Sequence, residues 1–414
     1  MIQFEKFSLK NGLRVIVHRD ETTPIVAFNL LYDVGARDED ESKTGFAHLF
    51  EHLMFGGSVN IPNYDSPLQE VGGENNAFTS NDITNYYITL PKENIETAFW
   101  LESDRMLSLA FTEKSLEVQR NVVIEEFKQR YLNQPYGDVW LLLRPLAYTR
   151  HPYKWATIGK EIKHIEEATM EDVKSFFFKH YRPNNAILSV AGDISKEQIE
   201  KLAEKWFGDI PQGDIVPRDL PKEPKQLQAR SLTVERDVPS DAIYKAYHIC
   251  NRVDPNYYAI DLVSDILSRG DSSRLFESLI KEQELCSNVN AYITGDMDEG
   301  LFVISATANE GVSLEKVEDA IHRELELLNK NGVSDLELRK VKNKVESAHA
   351  FGNTSVLNKA MGLAIAELIV DASLVNQEMD FYQAVTTDQI QAYCQQVLVP
   401  TNCSTLYYKS NKSK

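Results

Sequence analysis

The chain has 414 residues, 43% hydrophobic and 26% charged, and its 62 acidic against 44 basic side chains leave a net charge of −18. This length argues for two or more domains with sizeable cores. The acidic balance excludes a nucleic-acid binder, which needs a basic footprint.

No apolar run approaches the length that spans a bilayer, so no membrane partner is expected. The opening residues Met1-Ile2-Gln3-Phe4-Glu5-Lys6 have neither signal-peptide nor transit-peptide character. The expected location is therefore cytoplasmic, or periplasmic if a leader has been trimmed. Cys250, Cys286, Cys394 and Cys403 contain no C-x-x-C pair. They read as small hydrophobes rather than a disulfide framework.

In chain order, residues 7–9 and 13–17 flank Lys10-Asn11-Gly12. Asn-Gly between β-formers predicts a hairpin. Residues 25–34 read as a long buried strand. Residues 44–57 read as a helix on which His48 and His52, four apart, leave the same face one turn apart. Glu51 lies beside them, and Gly56-Gly57 is expected to close the helix with a left-handed cap. Two histidines at this spacing can fill two corners of a zinc tetrahedron. A neighbouring carboxylate can take a proton from an activated water. The order H-x-x-E-H is that of the inverzincins. A solvated helix face with one packed histidine would carry the same residues.

Asp65-Ser66-Pro67 starts a short helix that Gly72-Gly73 stops. Residues 76–79 and 84–90 read as strands around Asn81-Asp82. Helices are expected over 95–106, 112–130, 136–148, 170–181 and 195–207, with a strand over 186–190. Residues 211–225 hold Pro211, Pro217, Pro221, Pro224 and Gly213 and read as a linker. The expected domains are 1–210, a linker at 211–230, and 231–414.

The second half repeats the first. Val173 matches Ile390, Phe176 matches Tyr393, Pro183 matches Pro400 and Asn185 matches Asn402, all at an offset of 217. Asn76-Ala77-Phe78 recurs as Asn290-Ala291-Tyr292, and Gly57 recurs as Gly270. Two copies of one α/β unit joined by a linker account for this. The positions equivalent to His48, Glu51 and His52 fall near Asp261, Ser264 and Asp265, so the second copy is expected to be metal-free.

A catalytic zinc needs a third protein ligand and one open position. Helix 112–130 offers Glu113, Glu117, Glu125 and Glu126. If Val122-Val123-Ile124 and Phe127 mark its buried face, Glu126 projects toward that side. This favours it over Glu125.

Several stretches together resemble the M16 family of metallopeptidases (inverzincins), and by size its processing-peptidase-like subfamily, M16B. They are Leu9-Lys10-Asn11-Gly12-Leu13-Arg14-Val15, the histidine helix, Asn76-Ala77-Phe78-Thr79 with Thr84-Asn85-Tyr86-Tyr87, Arg120-Asn121-Val122-Val123-Ile124-Glu125-Glu126, His180-Tyr181-Arg182-Pro183-Asn184-Asn185, and Gly192-Asp193. The likeness covers essentially the whole chain. It implies an α+β fold of two homologous repeats, each a mostly antiparallel sheet packed with helices. It implies one Zn²⁺ per chain, held by His48, His52 and Glu126, with Glu51 as the catalytic base. It also implies a substrate-binding strand edge at Asn76, Ala77, Phe78 and Thr79. From the residues alone, an ordinary paired strand fits that segment nearly as well. The function implied is zinc-dependent endopeptidase action on peptides or unfolded segments inside a clamshell chamber.

Two departures bear on function. Gln119 stands where many relatives carry a glutamate, and an amide can hydrogen-bond a ligand but supplies no charge. Ile280 and Ser287 stand where catalytically complete relatives carry an Arg and a Tyr that reach the peptide. Lys281, Arg274 and Tyr292 are out of register. The resemblance therefore implies the zinc-bearing subunit of a heterodimer whose other chain lacks the zinc motif, with a homodimer as the alternative. The rival functions are a non-catalytic scaffold or peptide-binding subunit, and a zinc hydrolase of small amides.

Overall fold

The computed structural model describes residues 1–214 and 217–411. The chain packs into two compact units. One comprises Met1–Lys128, Trp155–Leu220 and His349–Gln377; the other comprises Gln129–Lys154, Pro221–Ala348 and the residues from 378 on.

The strands of the first half are β1 (Glu5–Ser8), β2 (Arg14–Arg19), β3 (Ile25–Tyr32), β4 (Glu74–Thr79), β5 (Thr84–Pro91) and β6 (Ala186–Gly192). They form one sheet in the order β1-β2-β6-β3-β5-β4. Only β2 and β6 run parallel among its pairs. The expected hairpin is present, with Ser8 opposite Arg14 and Gly12 at a φ of 87°. β3 and β6 are buried along nearly their whole length, as strands covered on both faces must be. The helices are α1 (Phe46–Leu53), α2 (Asp65–Glu70), α3 (Ile95–Ser108), α4 (Glu113–Phe127), α5 (Val139–Ala147), α6 (Ile162–Glu166), α7 (Met170–His180) and α8 (Lys196–Phe207). Thr169 and Ser195 open α7 and α8 with capping boxes to Asp172 and Gln198. α6 has no counterpart among the elements expected from sequence; five residues give too little periodicity to read.

The second half supplies β7 (Arg230–Arg236), β8 (Ala242–His248), α9 (Tyr257–Ser268), β9 (Cys286–Ile293), β10 (Leu301–Ala308), α10 (Leu314–Asn331), α11 (Asp335–Gly352), α12 (Val356–Ile369), α13 (Glu378–Ala384), α14 (Thr387–Val397) and β11 (Cys403–Ser410). Its sheet order is β7-β11-β8-β10-β9. Taken in chain order, this repeats β2-β6-β3-β5-β4 strand for strand, and again only the first pair is parallel. The duplication reaches single side chains. Asn185 Nδ2 donates to the carbonyls of His180 (2.9 Å) and Asp33 (3.2 Å). Asn402 Nδ2 donates to those of Val397 (2.8 Å) and His248 (2.9 Å). The fold is thus two α+β repeats with mixed, mostly antiparallel sheets.

Each sheet is covered by one helix from the other half of the chain. α5 packs on β8 and β11, with Val139, Leu143 and Ala147 against Ala242, Ala246 and Leu406. Its equivalent, α12, packs on β3 and β6, with Val356 and Ala360 against Ala27 and Ala191. The packing units therefore cut across the division into 1–210, 211–230 and 231–414 at these two helices. An amphipathic pattern shows that a helix buries a face, not which sheet receives it.

The described part of 211–229 has no regular element, but it is tied down. Asn184 and the Gly213 backbone exchange two hydrogen bonds, at 2.8 and 2.9 Å. Arg218 pairs with Asp33 and Asp38. The four cysteines are free, and three are buried.

Candidate metal centre

α1 is only eight residues long, and such a helix is marginal by itself. It buries Phe46, Ala47, Leu49, Phe50 and Leu53 and is held at both ends by buried polar side chains. At its start Gly45 takes a φ of 87°, and a Cβ there would meet the Ile158 carbonyl at 2.7 Å. No side chain at this cap position accepts the first amides. Glu39 does so instead: Oε2 accepts from Gly45 N (2.9 Å) and Oε1 from Ala47 N (2.8 Å). Burial pushes the Glu39 carboxyl up to about 8, against the pull of the two amides and the Trp155 indole.

At the other end Arg105 Nη1 donates to the Met54 carbonyl (3.4 Å). Arg105 is 1% exposed. It pairs with Glu102 (2.6 Å) and lies over the rings of Phe55, Tyr64 and Tyr86, at 5.3, 4.6 and 4.4 Å. The Arg105 cation at the carboxyl end suits the helix dipole, while Glu39 serves the amino end as a hydrogen-bond acceptor. The expected Gly56-Gly57 cap is not what ends the helix. Met54 is its right-handed cap residue, and Gly57 takes its positive φ of 91° three positions later. There a Cβ would strike the Pro62 carbonyl at 2.6 Å.

α4 packs beside α1. Its buried residues are Leu116, Val123, Ile124 and Phe127. Val122 is exposed, which corrects the buried face expected from sequence. Glu126 still follows that face, one turn after Val123. Its Oε2 lies 3.3 Å from His52 Nε2 and 3.7 Å from His48 Nε2. Glu125 points away and pairs with Lys128, as Glu117 pairs with Arg120. Gln119 is half-buried on α4, two turns before Glu126.

One ligand atom from each of His48, His52 and Glu126 lies within 4.8 Å of the others, the single such metal-ligand group among the described residues. Zinc–nitrogen and zinc–oxygen bonds of ~2.0–2.2 Å set tetrahedron edges of about 3.4 Å. The two measured gaps bracket that value, and two imidazoles with one carboxylate form a donor set zinc accepts.

Glu51 is half-buried on the same helix. Thr79 Oγ1 donates to its Oε2 at 2.6 Å, and the Thr79 backbone N–H adds a second contact. Burial pushes the Glu51 carboxyl up, Thr79 and His52 pull it down, and Glu126 pushes it up.

Thr79 closes β4, the edge strand of its sheet. Along β4 the exposed Asn76 and Phe78 alternate with half-buried Ala77 and Thr79. Ala77 N–H donates to Asn76 Oδ1 (2.8 Å). The matching strand β9 is closed differently, since Ser268 Oγ accepts from Ala291 N (2.7 Å) and donates to Ala291 O (3.0 Å).

The positions equivalent to the histidines carry carboxylates engaged elsewhere. Asp261 accepts from Tyr382 OH (2.5 Å), and Asp265 pairs with Arg269 (3.2 Å). Ile280 packs against the apolar core of its unit, and Ser287 donates to the Thr307 carbonyl (3.4 Å). The out-of-register side chains are also engaged. Lys281 binds the Asp271 carbonyl and Glu277, Arg274 binds Glu337 and the Gly332 carbonyl, and Tyr292 lies against Trp140.

Sequence reasoning missed Glu39, the contact of Thr79 with Glu51, and the Glu102–Arg105 pair. Only the last left a signal: two opposite charges three apart on the face that also holds Phe99 and Met106. Glu39 lies nine residues before His48, and no helical spacing links the two.

Two family profiles match the chain. The insulinase profile (peptidase family M16) covers residues 14–147, and the M16 inactive-domain profile covers 167–345. A zinc protease of Helicobacter pylori, PqqE, is 33% identical over 344 residues, which is 82% of this chain and 77% of that one. The beta subunit of the mitochondrial-processing peptidase of Saccharomyces cerevisiae is 25% identical, over 82% of this chain and 76% of that one. The crystal structure of a protease from Helicobacter pylori superposes with a TM-score of 0.94 at 29% identity, covering 99% of this chain and all of that one.

Proposed function

The chain belongs to the M16 family of peptidases, and from that premise we propose that it is a zinc-dependent endopeptidase of the processing-peptidase-like subfamily, M16B. Its substrates are peptides and unfolded segments. The observation that carries this reading is the convergence of His48, His52 and Glu126 ligand atoms within 4.8 Å, with Glu51 on the same helix. These three side chains would hold one Zn²⁺. The chemistry such an ion supplies is Lewis-acid polarisation of the scissile carbonyl and acidification of a water.

The chain's own residues do the rest. Glu51 accepts the proton of the attacking water and returns it to the leaving amine. The edge of β4 at Asn76, Ala77 and Phe78 receives the peptide as an added strand, through main-chain hydrogen bonds that do not depend on its sequence. Asn76 must release the Ala77 amide for that bond to form.

The partner in this reading is a second M16-like chain that lacks the zinc motif and carries the Arg and Tyr absent here. Two observations support it: Ile280 and Ser287 have no cationic or phenolic group, and each is engaged within its own unit. The test is cleavage of a peptide library by the purified chain, with and without such a partner and with and without a chelator. The expected result is cleavage that the chelator abolishes and zinc restores. Absence of chelator-sensitive cleavage in every arrangement would favour the scaffold reading.

A further inference from the structure

Glu51 lies on α1, and the group that fixes its orientation lies on another element. Oε2 accepts from the Thr79 hydroxyl at 2.6 Å, and the Thr79 backbone N–H adds a second contact to the carboxylate. A carboxylate has two oxygens, and a base needs one of them free to take a proton. With Oε2 engaged by the short hydroxyl contact, Oε1 is the oxygen better placed to take that proton. Hydrogen bonds to an ionised acceptor are about twice as strong as neutral ones, so this contact resists rotation of the carboxylate. Glu126, close enough to act on Glu51 by charge, repels it.

Thr79 is also the last residue of the edge strand β4, two positions after Ala77 on the same face. A strand is stiff along its length, so β4 joins the free edge at Ala77 to the carboxylate at Glu51 without an intervening loop.

Resting on the peptidase reading above, we infer that Thr79 is the positioning residue of the catalytic base. Its hydroxyl fixes which oxygen of Glu51 receives the proton, and it couples that orientation to occupancy of the β4 edge. The valine variant keeps the β-branched shape and loses the hydroxyl. The serine variant keeps the hydroxyl and loses the methyl.

The experiment measures kcat and KM for chelator-sensitive peptide cleavage by wild type, Thr79→Val and Thr79→Ser, together with zinc content and thermal unfolding. Thr79→Val is expected to retain zinc and to unfold within a few degrees of wild type. Its kcat should fall roughly ten- to a hundredfold with KM changed less than about threefold. Thr79→Ser is expected to recover most of kcat. A Thr79→Val enzyme with wild-type kcat overturns the inference and leaves the peptidase reading intact. So does a serine variant as slow as the valine one, because packing rather than the hydroxyl would then be responsible. A valine variant that unfolds early is decided by the serine variant alone. Wild type without chelator-sensitive cleavage overturns the reading itself, and this inference with it.

Discussion

Glu39 Oε1 lies 2.8 Å from the backbone nitrogen of Ala47, one residue before His48. The carboxylate thus anchors the first turn of the helix that carries both histidines, from a loop position outside that helix. Glu39→Ala would leave the Gly45 and Ala47 amides buried without an acceptor. The expected cost is about 2–3 kcal/mol of stability. Because His48 is carried by that turn, zinc affinity is expected to fall roughly tenfold. Denaturant unfolding and competitive zinc titration measure the two effects. Unchanged zinc affinity in a destabilised variant would confine Glu39 to folding.

His180 provides a pH test away from the metal side chains. It is buried at the end of α7, and burial pushes its imidazole down to about 4, with Asp38 pulling the other way. The fold therefore holds it neutral while the unfolded chain protonates it near 6.5. Its contribution is complete above pH ~6.5 and is lost as pH falls through about 4. Relative to His180→Asn, wild type should lose about 3 kcal/mol between pH 7 and pH 4. Urea unfolding of both proteins across that range gives the difference, and parallel curves would contradict the burial argument.

The Glu102–Arg105 pair sits beneath the carboxyl end of the histidine helix, and both members are 1% exposed. Arg105→Met leaves the buried Glu102 carboxylate without its countercharge, with the Tyr64 hydroxyl (2.5 Å) still donating to it, at an expected cost of ~3–5 kcal/mol. Removing both charges, in Arg105→Met with Glu102→Leu, should recover much of that loss. Thermal unfolding of the two variants tests this. A double variant no better than the single one would mean that the Arg105 contacts with Met54 and the three rings dominate instead.

The missing Arg and Tyr give a kinetic prediction. Alone, the chain should bind zinc yet cleave peptides slowly. Adding an M16-like subunit without H-x-x-E-H but with that Arg/Tyr pair should raise the rate by at least roughly tenfold, the scale of one lost transition-state contact. A homodimer with full activity by itself would remove the need for a second kind of subunit.

Local spacing carried most of the site. His48, Glu51 and His52 share a helix, so period aligned those three; for Glu126 it only favoured that residue over Glu125, and the family resemblance named it as the ligand. The duplication was legible for the same reason: Asn185 and Asn402 do one structural job in two places, and that job demands the same residue at the same offset. Contacts across the sheet and between distant elements were not legible. Thr79 read as a strand residue of the substrate edge, and only the packing of α1 beside β4 turns its hydroxyl onto Glu51. Glu39 was hidden because a helix amide donates to any carboxylate brought near it, and sequence does not encode that approach. α5 and α12 show the same limit at larger scale.

Zinc stoichiometry probes the metal centre itself and needs neither substrate nor partner. Elemental analysis should be made on purified wild type, Glu51→Gln, His52→Ala and Glu126→Gln after zinc loading and exhaustive dialysis. About one zinc per chain is expected in wild type and Glu51→Gln, and well under half of that in His52→Ala and Glu126→Gln. Wild type that retains no zinc, or ligand variants that retain as much as wild type, would contradict it.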